Sequence, residues 1–306
     1  MIPKMYKTFI IGNGFDLDLG WKTSYADFAQ SELWPKDDGF SNLAIELRNA
    51  KESNWYNIED IICEYAKKKD SGFQHARDMG VLFDSKKDDL TYYKKLTESL
   101  KDYIQRQEKQ PIDKNSVAAS VLRAIIDNGS FDKIFSYNYT NLNIVAKALS
   151  LHRVNYIHVH GSCMDDSVIL GVSDKFDLDD PYHGFYKTSS PKYKSANVRY
   201  ALQNSSEVVF FGHSLGPQGY HYFENFFAQQ CRDDVVEKDK KKITFITYDV
   251  PSQMGLITQL RSMNAGKINV LYDCNDLSFI RTADNDKTDL NAFLQHLKAT
   301  REYLYV

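Results

Sequence analysis

Short runs of consecutive apolar residues limit the folds open to this chain more than any other feature of its sequence. Val208 to Phe211 reads VVFF, and Ile243 to Thr247 reads ITFIT. A sheet with one wet face needs alternating polar and apolar side chains, whereas a strand buried on both faces is apolar throughout. The runs therefore predict parallel strands covered by helices on both faces, which is the α/β class.

The same reading places the predicted elements along the chain. Strands are predicted at Lys7 to Ile11, Asp132 to Tyr137, Asn155 to Val159, Ser167 to Leu170, Glu207 to Phe211, Ile243 to Tyr248 and Ile268 to Tyr272. Helices are predicted at Asn57 to Lys68, Asp88 to Gln107, Ser116 to Asn128, Leu142 to Leu149, Tyr220 to Cys231, Gln253 to Met263 and Leu290 to Glu302.

Helical periodicity fills the long stretch between the first and second predicted strands. We therefore expect a single α/β domain over residues 1–306, with a helical insertion at about residues 40–128. Inside it, one apolar face is built at three- and four-residue spacing by Tyr93, Leu96, Leu100, Tyr103 and Ile104. The polar segment Asp174 to Ser195 predicts a long surface loop, a kind of segment that often forms a lid.

Charge, apolar length and cysteine spacing restrict the partners and the compartment. The formal net charge of −3 gives no global attraction for nucleic acid. No apolar stretch reaches the roughly 20 residues of a membrane span, and no cleavable leader is visible, so we expect a cytoplasmic protein. Four isolated cysteines are expected to be reduced, mostly buried thiols. The oligomeric state is left open, a homo-oligomer being one option.

A glycine turn follows the first predicted strand. Gly12, Asn13 and Gly14 stand where doubly wound folds bring backbone amides to a phosphate. The dinucleotide fingerprint has a third glycine three residues later, but Leu17 occupies that position. Hydride transfer is thus weakly supported, while the polar continuation that includes Asp16 and Ser24 favours a ligand site.

Two later predicted strands end in polar residues that suit chemistry. Asn138 follows one strand and His160 follows the next. Ligands of open α/β sheets bind at the carboxyl ends of the strands. An amide and a neutral imidazole there can hold a water molecule or a ribose hydroxyl, which cleavage of a glycosidic bond needs.

A rival reading comes from the run Gly212 to Gly216. Its letters, GHSLG, match the nucleophile elbow of α/β-hydrolases after a predicted strand. Asp249 and His296 follow in the order of a hydrolase triad. His296, however, lies in a predicted helix, and this reading leaves the first glycine turn and Asn138 without a task. The other interpretation of Ser214 is a turn whose hydroxyl donates to ligand phosphate or ribose.

Together these blocks resemble the AbiH family of abortive-infection proteins, which is similar to the wider Sir2-like group. The matching blocks are IGNGFDLDLGWKTSYADF, WYNIED, FSYNYTNL, IHVHGS and FFGHSLG. The resemblance implies a Sir2-like Rossmann sheet whose glycine turn and Gly212-His213-Ser214 loop surround a dinucleotide. It also implies that Asn138 and His160 occupy the positions of the Sir2 catalytic asparagine and histidine.

The resemblance further implies an activity. Defence proteins with Sir2-like domains commonly consume NAD, so the expectation is hydrolysis of the nicotinamide–ribose bond, with no metal and with a phage-derived trigger. Sirtuin deacylases have a four-cysteine zinc module, which the scattered cysteines here do not supply. Asn138 would position the attacking water, and His160 would accept a hydrogen bond from a ribose hydroxyl. A serine hydrolase and a non-catalytic nucleotide sensor remain the alternatives.

Overall fold

A parallel sheet organises the chain. The computed structural model describes residues 5–36, 41–50, 57–67, 86–232 and 234–299. Its strands are β1 (Tyr6–Ile11), β2 (Lys133–Ser136), β3 (Ile157–His158), β4 (Ser205–Phe211), β5 (Lys242–Thr247) and β6 (Asp276–Arg281). They lie in the order β3-β2-β1-β4-β5-β6, and every neighbouring pair is parallel. Doubly wound sheets that bind dinucleotides have this order, and their strand order reverses between β1 and β4.

Helices connect and cover these strands. They are α1 (Asn13–Asp18), α2 (Tyr25–Ala29), α3 (Asn42–Asn49), α4 (Ile58–Lys67), α5 (Lys86–Gln107), α6 (Val117–Asn128), α7 (Leu142–Ala148), α8 (Val198–Gln203), α9 (Tyr220–Gln230), α10 (Val250–Met263), α11 (Ile268–Cys274) and α12 (Thr288–Ala299). Short 3-10 turns lie at Asp180–Phe185, Lys187–Ser189, Pro217–Gly219 and Glu237–Asp239. Within the described residues, no helix is long and apolar enough to cross a membrane.

The sheet is buried on both faces, as the apolar runs predict. Phe9 and Ile11 of β1 pack with α6, α7 and α12, whereas Ile10 between them packs with α8, α9 and α10. The strand β4 divides in the same way: Val209 joins the first layer and Val208 the second. Alternating side chains of a strand point to opposite faces, so both sets are fully removed from water.

The described residues divide into two compact units. The first comprises those within Met1–Trp21, Gln110–Val159 and Ser195–Val306, and the second those within Lys22–Lys109 and His160–Lys194. The second unit thus begins earlier than the expected insertion and draws on a later stretch of the chain as well. Helix α6, expected in the insertion, belongs to the first unit, where it packs against the sheet.

Buried polar contacts hold the second unit together. The carboxylate of Asp89 accepts hydrogen bonds from the hydroxyls of Tyr65 at 2.6 Å, Tyr182 at 3.0 Å and Ser41 at 2.9 Å. It also accepts from the backbone N–H of Leu43 at 3.1 Å. Burial and the bonds to Asp89 and Tyr182 raise the pKa of the Tyr65 phenol. A buried carboxylate that accepts this many hydrogen bonds has a structural role.

The segment Asp174 to Ser195 is the largely exposed loop that its composition predicts, but it is anchored to the rest of the second unit. It contains two 3-10 turns, and its Tyr182, Phe185 and Lys187 side chains are buried. The ammonium of Lys187 lies 3.0 Å from a carboxylate oxygen of Glu59. Withdrawing that buried charge from its partner is costly, so the segment is anchored rather than poised to move as a lid.

Two predicted strands are wrong. Ser167 to Leu170 forms no strand, because the N–H of Ile169 donates to the carbonyl of His160 and closes a local loop. Ile268 to Tyr272 is helical and buries Leu271 at one position of α11. The strand that completes the sheet is β6, DLSFIR, which the apolar runs did not reveal.

The longer helices are close to their predicted positions. Helix α6 begins after Ser116, whose hydroxyl accepts the N–H of Ala119, and ends at Gly129 with a left-handed φ of 59°. Helix α5 buries Leu96, Leu100, Tyr103 and Ile104 of its predicted apolar face. Part of the WYNIED block, Trp55 and Tyr56, lies outside the described residues, as does the end of the last predicted helix.

Candidate functional site

Two glycine loops meet at the point where the strand order reverses. Gly12 and Gly14 follow β1, and Gly212 follows its neighbour β4. A Cβ added to Gly14 would lie 2.6 Å from the Cα of Gly212, and one added to Gly12 would lie 2.6 Å from the Cα of His213. The glycines are therefore needed because the two backbones touch.

The amides of the first loop are engaged by the second. The N–H of Gly12 donates to the carbonyl of Phe211 at 2.9 Å, and that of Gly14 to the carbonyl of Gly212 at 2.9 Å. Gly212 itself has a left-handed φ of 62°. The two loops are thus joined into one backbone surface at Gly12, Gly14 and Gly212, which we call the glycine floor. The amides of Gly12 and Gly14 do not face outward as the sequence suggests.

The second loop places one hydroxyl in solvent. Leu215 is buried and has a left-handed φ of 54°, a backbone conformation that residues other than glycine rarely adopt. Its N–H donates to Nδ1 of His213 at 3.0 Å, which fixes the orientation of that imidazole. Between them, Ser214 is exposed. The loop costs strain, which is a common property of functional sites.

Asn138 reaches from the end of β2 to the glycine floor. Its Nδ2 donates to the carbonyl of Gly12 at 3.1 Å, although only 8% of the residue is exposed. Because a carbonyl accepts and cannot donate, this contact sets which end of the amide faces Gly12. The other end, Oδ1, accepts no hydrogen bond from any residue that the structure describes. An oriented acceptor is left for a ligand or a water molecule.

Two acidic residues near the first glycine loop have structural partners. Asp16 is 2% exposed and accepts a hydrogen bond from the hydroxyl of Thr140 at 2.8 Å. Asp18 accepts the N–H of Ala118 at 2.7 Å, which ties α1 to the first turn of α6. One carboxylate oxygen of Asp16, the residue expected to contact a ribose, is thus already engaged by Thr140.

A histidine that the sequence did not single out lies beside Asn138. His158 places Nδ1 3.0 Å from the backbone oxygen of Asn138 and Nε2 3.1 Å from the hydroxyl of Tyr156. The spacing Tyr156-x-His158 puts both rings on the same side of the chain, which is a signal that the sequence carries. Only the contact with Asn138, which the spacing does not reveal, connects His158 to the candidate site.

The remaining expected site residues belong to the second unit. Ser24 caps α2, since its hydroxyl accepts the N–H of Asp27 at 3.0 Å. His160 is half-buried, and Gly161 beside it has a φ of 76°. A Cβ on Gly161 would lie 1.7 Å from the carbonyl oxygen of Ser167, so only glycine fits there. Asn13, Asp16, Asn138, His213 and Ser214 lie in the first unit with the glycines.

The hydrolase triad is not assembled. Nε2 of His296 lies 2.8 Å from Glu207, which Lys7 also contacts at 3.0 Å. Glu207 is near the start of β4, about 13 Å along the strand from its last residue at roughly 3.3 Å per residue, and Ser214 lies beyond that end. Asp249 caps α10, and the Ser252 hydroxyl and N–H hold its pKa below the usual value. The Ser214, Asp249 and His296 reading is therefore incorrect.

The described residues offer no metal centre. No three of their histidine, cysteine and acidic side chains are grouped to hold an ion. The cysteines are free thiols, and three of them are buried, as expected. Burial raises the pKa of Cys163 to about 12 and that of Cys231 to about 11, so both are poor nucleophiles at neutral pH.

A separate cavity lies within the second unit. It has a volume of about 550 Å³ and lies between α5 and the segments around residues 166–170 and 184–192. Asp166 holds Lys101 at 2.8 Å and Lys192 at 3.0 Å, and these bonds lower its pKa. Lysines and acidic residues line the cavity in balance, so its charge favours no particular ligand.

The first unit is a doubly wound α/β unit in which two glycine loops meet at the switch point, and proteins of this class bind ligands at the carboxyl ends of the strands. A comparison with protein families matches residues 8–237 to the family described as bacteriophage abortive infection AbiH. The chain belongs to this family and has a role in abortive infection by phage. A comparison with curated proteins finds no match.

Proposed function

We propose that the chain binds NAD at the crevice between β1 and β4 and hydrolyses its nicotinamide–ribose bond, acting in the cytoplasm. The Sir2-like character of the sheet is part of this proposal. Asn138 is the observation that carries it: a buried amide held by Gly12, with an acceptor oxygen left at the carboxyl edge of the sheet. Such an acceptor suits a water molecule that must be aimed at a sugar carbon.

The reaction requires little of the protein beyond positioning. Water adds its oxygen to the ribose carbon, nicotinamide leaves with the electrons of the broken bond, and one proton is released. Asn138 cannot take that proton because an amide is not a base, so its role is to orient the water. His160 is assigned the acceptor of a ribose hydroxyl hydrogen bond. No metal takes part in the proposal.

The glycine floor and the loop after it are assigned the dinucleotide. Gly12, Gly14 and Gly212 allow the two loops to touch, because added Cβ atoms would meet the backbone of the opposite loop. The exposed hydroxyl of Ser214 and the side chains of Asn13 and His213 would supply polar contacts. Asp16 and Ser24 are proposed to contact the ribose, in addition to the hydrogen bond that Asp16 accepts from Thr140 and the one that Ser24 accepts from the N–H of Asp27.

The test is nicotinamide release from NAD by the purified chain. Asn138→Ala should lower the rate at least about 100-fold, the scale at which positioned polar groups act. Asn291→Ala is the matched control, because Asn291 is exposed on α12. His160→Ala should lose release as well. Unaltered release in both site variants would refute the assignment.

Binding measurements divide the remaining outcomes. Calorimetry with NAD and ADP-ribose reports the crevice directly, since a ligand that binds the folded state also raises the melting temperature. Binding without release would favour the nucleotide sensor. If the chain shows no binding and no release, the dinucleotide site is refuted. A chain that consumes NAD must be restrained in an uninfected cell, so the proposal includes a phage-derived trigger and allows a homo-oligomer as the active form.

A further inference from the structure

His158 contacts the backbone of Asn138, the residue that the proposed function assigns to the attacking water. Its Nδ1 lies 3.0 Å from the backbone oxygen of Asn138. A carbonyl oxygen only accepts hydrogen bonds, so Nδ1 must carry a hydrogen. The other ring nitrogen, Nε2, lies 3.1 Å from the hydroxyl of Tyr156. The contact with Asn138 therefore fixes a hydrogen on Nδ1.

Tyr156 ties this imidazole to the helix that follows Asn138. Its hydroxyl accepts the N–H of Leu142 at 3.1 Å and donates to Oδ1 of Asn141 at 3.0 Å. Asn141 is the N-cap of α7, where its side chain accepts the N–H of Asn143 at 2.9 Å. The Tyr156 and His158 rings thus bridge the loop from Asn138 to the start of α7.

The remaining backbone of Asn138 is fixed as well. Its N–H donates to the hydroxyl of Ser136 at 3.2 Å, and that hydroxyl donates to the Asn138 carbonyl at 3.3 Å, so the carbonyl accepts from Ser136 as well as from His158. The Asn138 side chain donates to the carbonyl of Gly12 at 3.1 Å. Turning the Asn138 carbonyl away from His158 would rotate the Cα that carries the amide. A shift of about 1 Å in a reacting geometry can cost about 100-fold in rate.

We infer that His158 is a positioning residue, whose Nδ1–H holds the carbonyl of Asn138 and so aims the Asn138 amide. The inference rests on the proposed function. It also separates the two histidines of the IHVHGS block: His160 is assigned to the substrate, whereas His158 acts through Asn138.

Two amide substitutions distinguish the two ring nitrogens. An asparagine places its N–H near the position of Nδ1, and a glutamine places its N–H near Nε2. With NAD as substrate, His158→Gln should lower kcat at least about tenfold with KM within about twofold, because aim and not binding is lost. His158→Asn should restore kcat to within about threefold of the wild type. Equal losses in both variants, or a change confined to KM, would overturn the inference.

Two measurements on the intact chain need no turnover. The ¹⁵N spectrum of histidine-labelled protein should show a protonated Nδ1 in the signal that His158→Gln removes. Hydrogen exchange of the Asn138 side-chain amide should quicken about tenfold in His158→Gln and not in His158→Asn. If wild-type protein neither binds NAD nor releases nicotinamide, the proposed function fails while these readings still test His158. An unprotonated Nδ1 or unchanged exchange would overturn the positioning role whatever the turnover.

Discussion

Replacing Gly14 with alanine sets two physical effects against each other. Gly14 lies inside α1, where alanine is favoured over glycine by about 1 kcal/mol. Its φ is not left-handed, so the local backbone accepts a side chain. The added Cβ, however, would lie 2.6 Å from the Cα of Gly212 in the neighbouring loop. The sign of the stability change shows which effect is larger.

The magnitude follows from the contact. Carbon atoms pack at about 3.5–4.0 Å, so the two loops must separate by about 1 Å. Overpacking of this kind costs about 1–3 kcal/mol. The hydrogen bond from Gly14 to Gly212 would be stretched as well, at about 1 kcal/mol. After the helical gain is subtracted, Gly14→Ala should destabilise the first unit by about 2 kcal/mol.

The assay is thermal unfolding beside a control glycine. Gly255 lies in α10, is exposed, and has no atom within 4 Å of an added Cβ. Gly255→Ala should therefore raise stability by about 0.5–1 kcal/mol. For a domain of about 150–250 residues, the expected loss in Gly14→Ala lowers Tm by roughly 4–8 °C. A Gly14→Ala protein as stable as wild type, with Gly255→Ala behaving as stated, would refute the backbone contact.

Three further outcomes are expected. Lys187→Met should cost the second unit about 3–5 kcal/mol in urea unfolding, because it strands the buried Glu59 carboxylate, and adding Glu59→Gln should recover most of that loss. Burial raises the pKa of Glu59, with Lys187 opposing, so its contribution to stability is greatest below the unfolded pKa and is lost as pH rises. The stability of the wild type should therefore rise relative to that of Glu59→Gln as the pH falls from 7 to 5. A stability difference that does not change with pH would contradict this. A fluorophosphonate should leave Ser214 unlabelled, since its expected base is held by Glu207, and labelling would reopen the hydrolase reading. Among the cysteines, only Cys274 is not buried, so a thiol reagent should show one fast phase, absent in Cys274→Ser.

The centre of the fold was readable from the sequence because it is uniformly apolar. VVFF and ITFIT lie in β4 and β5, and their side chains alternate between two covered faces. The edge strand β6 was not predicted, because it is not uniformly apolar. Strand β6 has only Ile280 buried, whereas the β-branched run from Ile268 gives a strand signal but buries a single helical position. Five residues are too few for periodicity to separate the two structures.

The sequence predicted which candidate residues follow the strands, but it did not predict the contacts among them. Strand ends located Asn138 and both glycine loops, since polar residues after apolar runs mark the carboxyl edge. The engagement of the Gly12 and Gly14 amides depends on a loop about 200 residues later, which no local pattern contains. The importance of His158 likewise depends on a tertiary contact, and the anchoring of residues 174–194 depends on Glu59.

The position of β1 in the chain has a consequence for synthesis. The hydroxyls of Thr8 and Ser205 meet at 2.7 Å across 197 positions of sequence. At about 5–20 residues per second, a ribosome needs roughly 10–40 s to travel that far. Strand β1 therefore leaves the ribosome long before β4, the neighbour on one side of it in the finished sheet. A nascent chain stopped before residue 205 lacks β4 and the second glycine loop, so a partly made copy cannot form the site at which we propose NAD to bind.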